Sequence, residues 1–540
     1  MDRVDFAAPV GVHSARERQW SAGDLRRWIA SAFQGRSLVV LANRQPMRHD
    51  RTVDGRIVAT RSSGGLVTAL EPLIEACAGS WVAHGAGSAD ADVVDALDCV
   101  GVPPHRPAYR LKRVWLTPQE ERGYYRGFSN EGLWPLCHRA HVRPVFRAGD
   151  FAMYREVNER FADAVCAEVE DEAPVVLVQD YHFALAPRLI RQRLPLATIV
   201  AFWHIPFPDP RTLAICPWAQ QLLDGLLGST VAGFQTADDR QNFVDAATQH
   251  LPARYSNDAV TFQGAQTRVG AYPISVEWPN WTTNTDIDAC RADVRARLNL
   301  APDTLLGVGV DRLDYTKGIT EKFLAVERLL ESYEEFRGRF VLVQVAEPSR
   351  ESLPAYQEAR ARIVATAARV NARFRDGNYT PILLLHQRHE PHEVQDLYRA
   401  ADLCYVGSLH DGMNLVAKEF VAARHDLRGV LVLSEFAGAS KELHAAVVVN
   451  PYATHACAAA LARGLTMAGA EQESRMRTLR GIVRRSNIYA WAAGLLSDAA
   501  VSTKRSDRKY PRKERKERFI TKTAGTVRPR LVCASERFLR

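Results

Sequence analysis

The run TLLGVGV (304–310) passes directly into DRLDYTKG (311–318), and this junction decides the fold class. A short apolar run rich in β-branched residues is typical of a buried parallel strand, and the polar segment after it predicts a strand-to-helix turn. Ligands of open α/β sheets bind at the carboxyl ends of the strands, where Arg312 and Lys317 stand. These two cations suit a diphosphate, although surface charges paired with Asp311 and Asp314 would give the same pattern.

Similar apolar runs form two series along the chain. The first comprises SLVVLA (37–42), PVVLVQ (174–179), ATIVAFW (197–203) and STVAGF (229–234). The second comprises TLLGVGV, RFVLVQV (339–345), PILLLHQ (381–387), LCYVG (403–407) and GVLVLS (429–434). Helix-length segments separate the runs, so we predict an α/β protein with two parallel sheets, each covered by helices on both faces. The Pro-containing polar segment 274–285 predicts the linker between the two domains.

The composition excludes several classes of protein. The chain has 540 residues, of which 46% are hydrophobic and 24% charged, an ordinary globular composition rather than a fibrous or disordered one. No apolar run approaches the roughly 18 residues that cross a bilayer, and the N-terminus lacks the apolar stretch of a signal peptide. The nine cysteines never form CxxC, which disfavours a disulfide framework or a zinc site. We therefore expect a cytoplasmic protein without a membrane span.

The net charge of +8 is concentrated at the C-terminus. Residues 501–540 carry 14 Lys/Arg against 4 Asp/Glu, which leaves the first 500 residues close to neutral. This tail is poor in apolar residues and shows no helical stripe, so we predict a disordered extension. Either it has no specific partner, or it binds polyanions such as nucleic acid or anionic lipid nonspecifically.

The segment DGMNLVAKEF (411–420) predicts a loop that opens a helix. Asp411, Gly412 and Asn414 are residue types that form turns and helix caps, and a helix start directs free N–H groups at an anion. Glu419 lies a little over two helical turns beyond Asp411, within reach of a hydroxyl-bearing part of the same ligand. The alternative is a simple cap at Asp411 and a Glu419 that lies on a helix face.

Two strand ends in the first series also carry polar side chains. Asp180, Tyr181 and His182 follow one strand, and His204 begins HIPFP (204–208) after the next. Since these strands are expected in one parallel sheet, their ends form a second candidate binding edge, here for a sugar. A lone histidine is more often a hydrogen-bonded core residue, but two polar strand ends in one sheet favour a site.

Taken together, these segments resemble the trehalose-6-phosphate synthase family, retaining sugar-nucleotide glycosyltransferases of the GT-B fold. The resemblance runs from about residue 37 to 496, and its motifs include LANRQP, SSGGL (62–66), YYRGFSNEGLWP (124–135), DYH, HIPFP, RLDYTKG, EPSR (347–350), DGMNLVAKEFVAAR and GVLVLSEFAGASKEL. It implies two facing Rossmann-like domains. An acceptor-binding domain would span 37–275 with a return helix near 486–500, and a nucleotide-sugar domain would span 286–485. Residues 1–36 would be an N-terminal extension.

For the donor, the resemblance implies UDP-glucose. Arg312 and Lys317 would hold its diphosphate, and Glu419 its ribose. His204, Asp411 and the backbone N–H groups after Asp411 would bind the transferred glucose. The donor-binding residues implied in this way are Gly64, Gly65, His204, Arg312, Lys317, Asp411, Gly412, Met413, Asn414, Leu415, Val416 and Glu419.

For the acceptor, the resemblance implies glucose 6-phosphate, whose phosphate would be reached by Arg350. The implied acceptor-binding residues are Arg44, His84, Tyr125, Trp134, Asp180 and Arg350, and the implied catalytic residues are Asp180, His204, Arg312, Lys317 and Asp411. No cofactor is implied, since UDP-glucose is a substrate. Asp90-Ala91-Asp92 has the DxD spacing of metal-dependent glycosyltransferases, but no strand leads into it, so we predict a metal-independent reaction.

Two departures from the family pattern concern the acceptor. Position 179 is Gln where the family often has His, and position 84 is His where many members have Trp facing the acceptor. Glucosylglycerol-phosphate synthase, which has the same donor chemistry with glycerol 3-phosphate as acceptor, is therefore the nearest alternative. A catalytically silent sugar-phosphate sensor is the alternative from another class of protein. A homo-oligomer is compatible with all of these.

Overall fold

The structure is a computed structural model that describes residues 19–33, 35–61, 65–139, 142–279 and 286–509. Eighteen strands form a ten-stranded sheet, a six-stranded sheet and a small hairpin in these residues. Four of the predicted features lie wholly or partly outside the described residues: residues 1–18 of the N-terminal extension, Gly64, residues 280–285 of the linker and residues 510–540 of the C-terminal tail.

The ten-stranded sheet forms the first domain, in the order β10-β11-β12-β9-β8-β7-β1-β4-β6-β5. Seven neighbouring strands from β12 to β6 are parallel, while β5, β10 and β11 add antiparallel edges. The strands are β1 (Leu38–Leu41), β4 (Ser80–His84), β5 (Cys99–Val102), β6 (Tyr109–Val114), β7 (Val175–Gln179), β8 (Thr198–Phe202), β9 (Val231–Phe234), β10 (Arg254–Ser256), β11 (Ala259–Phe262) and β12 (Ala265–Ala271). The hairpin pairs β2 (Met47–Arg51) with β3 (Ile57–Arg61).

The six-stranded sheet forms the second domain and is parallel throughout, in the order β15-β14-β13-β16-β17-β18. Its strands are β13 (Leu305–Arg312), β14 (Phe340–Glu347), β15 (Ile382–Leu385), β16 (Leu403–Val406), β17 (Val430–Ser434) and β18 (Val447–Val449). The central strands are buried along nearly their whole length, which is why they read as continuous apolar runs in the sequence.

Helices of eight or more residues cover both sheets. They are α1 (Ala22–Phe33), α2 (Gly65–Cys77), α3 (Ala148–Ala167), α4 (Ala186–Arg193), α5 (Ala219–Leu226), α6 (Ala237–His250), α7 (Ile287–Arg297), α8 (Ile319–Ser332), α9 (Pro354–Phe374), α10 (Pro391–Ala400), α11 (Leu415–Ala423), α12 (Thr454–Thr466), α13 (Gly469–Arg485) and α14 (Ile488–Lys509). A π-helix (Glu121–Leu133) precedes the short helix Trp134–His138. None of the described helices combines the length and the apolar character that crossing a membrane requires.

All nine apolar runs of the sequence are strands, so the prediction of two parallel α/β sheets is confirmed. The apolar runs did not predict the strands that carry charged residues, such as β6. In β6, Arg113 is fully buried because its guanidinium pairs with Asp90 at 2.9 Å, and the side chain of Asp90 is itself fully buried. Asp90 therefore has a structural role in the fold as the buried partner of Arg113.

The last helix returns to the first domain. α14 packs against β8, β9 and β12 as well as α1 and α2. It continues to Lys509, so the predicted boundary at residue 500 between a helix and a disordered tail is wrong. Within residues 501–509, the hydroxyl oxygen of Thr503 lies 3.0 Å from the hydroxyl oxygen of Thr198, and both side chains are buried. Helix α1, inside the predicted N-terminal extension, also buries Leu25, Ile29 and Phe33.

A chain that ends at Ala500 will therefore be less stable than the full chain. The deletion removes the last turns of α14 and leaves the buried Thr198 hydroxyl without its partner, which costs about 1–3 kcal/mol. Urea denaturation of this chain, compared with one that ends at Lys509, measures the difference. Equal midpoints for the two chains would show that residues 501–509 add nothing to the fold.

Candidate active site

A cavity of about 650 Å³ lies where the carboxyl ends of the two sheets face each other. The first domain contributes residues that follow β1, β7 and β8, and the second contributes residues that follow β13 and β14 and the start of α11. Strand ends are the expected position of ligands in open α/β sheets. Fourteen of the predicted residues line it: Arg44, Tyr125, Trp134, Asp180, His204, Arg312, Lys317, Arg350, Asp411, Met413, Asn414, Leu415, Val416 and Glu419.

Two predicted residues, Gly412 and His84, are not among the described residues that line the cavity. Gly412 lies where the two domains touch. Gly65 begins α2, and its surroundings lie outside what the structure describes. His84 ends β4, and its ring Nδ1 is 3.1 Å from the carbonyl oxygen of Val114, to which it donates. The structure therefore gives His84 a contact with the neighbouring strand β6 and does not support its predicted place beside the acceptor.

The two cations in the turn after β13 differ in their ion pairs: that of Lys317 is short, and that of Arg312 is long. Lys317 Nζ is 2.5 Å from Asp411 Oδ2, whereas the Arg312 guanidinium comes no closer than 4.0 Å to Asp314. Asp311 pairs with Lys322 instead. Of the simple pairings of Arg312 and Lys317 with Asp311 and Asp314, the structure keeps only the long ion pair between Arg312 and Asp314.

Asp411 is the centre of a small polar network. Its Oδ2 accepts hydrogen bonds from Lys317, from the Ser408 hydroxyl at 3.2 Å and from Asn414 Nδ2 at 3.1 Å. Burial acts to raise the pKa of this carboxyl, but Lys317 outweighs burial and keeps the pKa below its ordinary value. Asp411 is thus an ionised, hydrogen-bonded carboxylate whose main task is to hold Lys317 and the loop.

Helix α11 begins beside this network and points its N-terminus at the cavity. Asn414 is the cap, with φ of 73°, and its side chain accepts from the Ala417 N–H. The first N–H groups of a helix have no partner within the helix, so those of Leu415 and Val416 can meet an anion. One turn further on, Glu419 accepts a 3.0 Å hydrogen bond from the Tyr398 hydroxyl, and burial raises its pKa.

Arg350 crosses from the second domain to the first. Its guanidinium lies 4.2 Å from the ring centroid of Trp134 and donates to the Tyr181 hydroxyl at 3.2 Å. On its own domain it bonds the Tyr356 hydroxyl and lies 3.6 Å from Asp314 Oδ2. Burial acts to lower the pKa of Arg350, but these neighbours outweigh burial and raise it. The side chain is thereby fixed over the floor of the cavity.

The cavity concentrates positive charge. Burial lowers the pKa of Arg44, and the nearby Arg312 and Arg350 lower it further because three guanidinium groups share one region. Burial acts to raise the pKa of the Tyr125 hydroxyl, but the same arginines outweigh burial and lower it. This arrangement fits a ligand with several negative charges, such as a phosphate or a diphosphate.

Asp180 and His204 form the first-domain edge of the cavity. Asp180 has φ of 72°, a strained conformation for a residue with a side chain, and its Oδ1 accepts the His204 N–H at 3.1 Å. Burial raises the pKa of Asp180 to about 7 and lowers that of the His204 ring to about 3. The His204 ring, which bonds Gln179 Oε1 at 2.8 Å, is therefore neutral above about pH 4.

The comparisons with known proteins agree with this geometry. Residues 36–501 match the glycosyltransferase family 20 model. The chain belongs to this family. Its relative from Mycolicibacterium vanbaalenii, a trehalose-6-phosphate synthase, is 38% identical over 481 residues, which is 86% of this chain and 96% of the relative.

Two solved structures of the family are also similar to this chain. The E. coli protein bound with UDP-2-fluoro glucose superposes with a TM-score of 0.75 at 31% identity, over 86% of this chain and 99% of that one. The alpha,alpha-trehalose-phosphate synthase (UDP-forming) from Burkholderia xenovorans in complex with glucose-6-phosphate has a TM-score of 0.74 at 32% identity, over the same shares. The fold of this family 20 member is therefore the GT-B arrangement, as the sequence predicted.

Sequence reasoning missed several residues that line the cavity of this family 20 protein. His138 comes from the first domain, and Arg388 and His389 come from the second. His138 lies four residues after Trp134 on one helix face, a spacing that points to the same site. Arg388 and His389 follow β15, whose carboxyl end gave the same signal as the other strands.

The two domains of this glycosyltransferase touch backbone to backbone at Gly412. A Cβ atom added there would lie 2.2 Å from the carbonyl oxygen of His204. Gly412→Ala will therefore hold the domains apart and lower turnover by about 10- to 100-fold, because misplacing reacting groups by an ångström has costs of that size. Gly149→Ala is the matched control, since a Cβ there meets nothing within 4 Å. Steady-state kinetics of both variants decide, and normal turnover by Gly412→Ala would contradict the contact.

The raised pKa of Asp180 gives a second prediction. Its folded value of about 7 lies above the ordinary value near 3.9, so the folded state keeps a proton that the unfolded state loses. Asp180 therefore makes the protein less stable as pH rises from about 4 to 7, by up to about 4 kcal/mol. Asp180→Asn should remove this decline. Denaturant unfolding of both proteins at several pH values measures it, and parallel pH profiles would show that the Asp180 pKa is not raised.

Proposed function

We propose that this protein transfers glucose from UDP-glucose to glucose 6-phosphate with retention of configuration, giving trehalose 6-phosphate and UDP. The observation that carries the proposal is the cavity between the domains, in which Arg44, Arg312, Lys317 and Arg350 gather beside polar groups that suit sugar hydroxyls. The names of the family 20 relatives and the two ligands of the solved structures point to the same substrates.

On the donor side, the proposal gives the diphosphate to Arg312 and Lys317. Arg312 is held only loosely, so its guanidinium is available for a bidentate contact with phosphate oxygens. The N–H groups at the start of α11 add a second anion-binding element. Glu419, whose carboxyl faces the same cavity, would accept hydrogen bonds from the ribose.

On the acceptor side, the proposal gives the 6-phosphate to Arg44 and Arg350. The two side chains come from opposite domains, so a phosphate between them would favour the closed arrangement of the cleft. Tyr125 and Trp134 would form the apolar surface beneath the sugar. Asp180 would accept a hydrogen bond from one of its hydroxyls.

The proposed chemistry needs no cofactor and gives the task of a divalent cation to Arg312 and Lys317. These groups would stabilise the negative charge that grows on the UDP phosphate as the glycosidic bond breaks. The leaving phosphate would accept the proton of the attacking hydroxyl on the same face of the sugar. The contact between Gly412 and His204 closes the cleft, which helps to exclude water as a competing nucleophile.

The alternative acceptor, glycerol 3-phosphate, is not favoured by the relatives, which are trehalose-6-phosphate synthases. The structure also weakens one of the two reasons for it, since His84 does not line the cavity. A silent sensor is disfavoured because fourteen predicted residues converge on one site. A cytoplasmic location, a homo-oligomer and binding of polyanions by the C-terminal residues stay predictions of the sequence.

The experiment that tests this proposal is product identification over a panel of nucleotide sugars and acceptors. The full chain with UDP-glucose and glucose 6-phosphate should yield a non-reducing disaccharide phosphate and UDP, unchanged by addition of EDTA. Free glucose and glycerol 3-phosphate should react poorly. Faster reaction with glycerol 3-phosphate would favour the alternative enzyme, and no product from any pair would favour the sensor.

Arg312→Ala gives the sharpest test of the donor site. Removing this guanidinium should lower turnover by at least about 100-fold, because it takes a charge away from the leaving diphosphate. Arg328→Ala is the control, since Arg328 pairs with Glu331 on the exposed surface of α8. The two variants should have equal thermal midpoints. Near wild-type turnover by Arg312→Ala would refute the assignment of the diphosphate.

A further inference from the structure

Several residues that line the cavity carry buried polar atoms without a partner among the described residues, and one of them, His138, has a ring whose orientation and tautomer the structure fixes. His138 ends the short helix that begins at Trp134, and only 1% of the residue is exposed. The two rings lie one turn apart with centroids separated by 4.0 Å, so Trp134 fixes the plane of the imidazole. Both residues line the cavity.

The tautomer of His138 follows from one hydrogen bond. The ring Nδ1 is 2.9 Å from the main-chain carbonyl oxygen of Trp134. A carbonyl oxygen only accepts, so Nδ1 carries the proton and Nε2 presents a lone pair. Burial, followed by the nearby charge of Lys317, lowers the pKa of this ring to about 3. His138 is therefore a neutral group with one acceptor atom.

That acceptor has no hydrogen-bond partner among the described residues. Nε2 of His138 is buried and unpaired, an unfavourable arrangement for a polar atom that a ligand group could relieve. The charged groups that affect the pKa of this ring all belong to the second domain: Lys317, Asp314 and Asp411. Lys317 is bonded to Asp411 and makes no hydrogen bond to this ring.

We propose that His138 Nε2 accepts a hydrogen bond from a hydroxyl group of the hexose that the donor nucleotide carries. A hydroxyl is the substrate group that donates one hydrogen bond and fits a small, uncharged acceptor. The hydroxyl is assigned to the donor sugar because His138 lines the same cavity as Lys317 and Asp411, which the proposed function gives to the donor. Trp134, which packs against the ring, is given to the acceptor, so the experiment compares the two sugars. The inference rests on that proposed function and adds a specificity-determining residue to it.

Two substitutions test the two ring nitrogens separately: Nδ1, whose hydrogen bond to Trp134 fixes the tautomer, and Nε2, the proposed acceptor. His138→Asn keeps an amide N–H near the position of Nδ1 for the Trp134 carbonyl but has no atom at Nε2. His138→Gln places an amide oxygen or nitrogen near Nε2. Dissociation constants are measured by calorimetry for UDP, for UDP-glucose and for UDP-glucose analogues that each lack one hydroxyl.

We expect His138→Asn to bind UDP like the wild type and to bind UDP-glucose about 5- to 10-fold more weakly, the size of one hydrogen bond. His138→Gln should recover part of the loss. A single deoxy analogue should bind wild type and His138→Asn equally, which identifies the hydroxyl that Nε2 contacts.

Three results would overturn the inference. If His138→Asn weakened the binding of UDP and of UDP-glucose equally, His138 would only support the fold of the site. Unchanged binding of every ligand would show that a water molecule satisfies Nε2. A deficit confined to the KM of the acceptor would place the hydroxyl on the other sugar.

The test of His138 can succeed or fail independently of the test of the proposed function. If the wild type binds UDP-glucose but forms no disaccharide phosphate, the proposed reaction fails while the binding comparison still decides the role of His138. If the panel of nucleotide sugars identifies another donor, the same variants are compared with that sugar and its free nucleotide. Thermal midpoints of the variants are measured alongside, and the difference between His138→Asn and His138→Gln remains informative if both are lowered equally.

Discussion

Repulsion among the cationic side chains at the meeting point of the domains is the constraint that the rest of the site satisfies. The Arg350 side chain is buried, and Arg44 and Arg312 add two further guanidinium groups beside it that solvent reaches. A buried charge must be paired or bonded. Arg350 pairs with Asp314, bonds two tyrosine hydroxyls and lies over the face of Trp134. Lys317 pairs with Asp411. Arg312, with its 4.0 Å approach to Asp314, is the least satisfied of them.

This electrostatic arrangement explains why both domains are needed. Arg350 belongs to the second domain, but two of its contacts, Trp134 and Tyr181, belong to the first. The approach of Gly412 to the His204 carbonyl brings the backbones together at a point where a side chain on residue 412 would not fit. Helix α14 completes the connection, since it follows the second domain in sequence and packs on the sheet of the first. A phosphorylated ligand between the domains would relieve the repulsion that an empty cleft retains.

Buried groups with unusual protonation divide the cavity into two kinds of surface. The second domain presents ionised groups, because Lys317 keeps the Asp411 pKa low. Apart from Arg44, the first domain presents neutral or partly ionised groups at pH 7, because burial keeps His138 and His204 neutral and raises the pKa of Asp180 to about 7. The cations Arg312 and Lys317 of the second domain suit a diphosphate, and neutral donors and acceptors suit sugar hydroxyls. The chemistry proposed for the two domains follows from this division.

The sequence by itself determined the two parallel sheets, since a strand buried on both faces must be apolar along its length, as in RFVLVQV and GVLVLS. It also determined most of the site, because the carboxyl ends of such strands meet, and residues such as Arg312 and Asp180 are charged where apolar runs stop. Strands such as β6 were not predictable, since the buried Arg113 depends on a partner, Asp90, that only the fold supplies.

The tertiary structure alone decided which candidates face the cavity. His84 has the sequence position of a site residue, but its bond to Val114 belongs to the neighbouring strand, and sequence spacing does not fix such a cross-strand contact. The unpaired Nε2 of His138 and the pKa of Asp180 depend on burial by distant segments. The helical extension to Lys509 likewise depends on packing against β8, which outweighs the polar composition of that stretch.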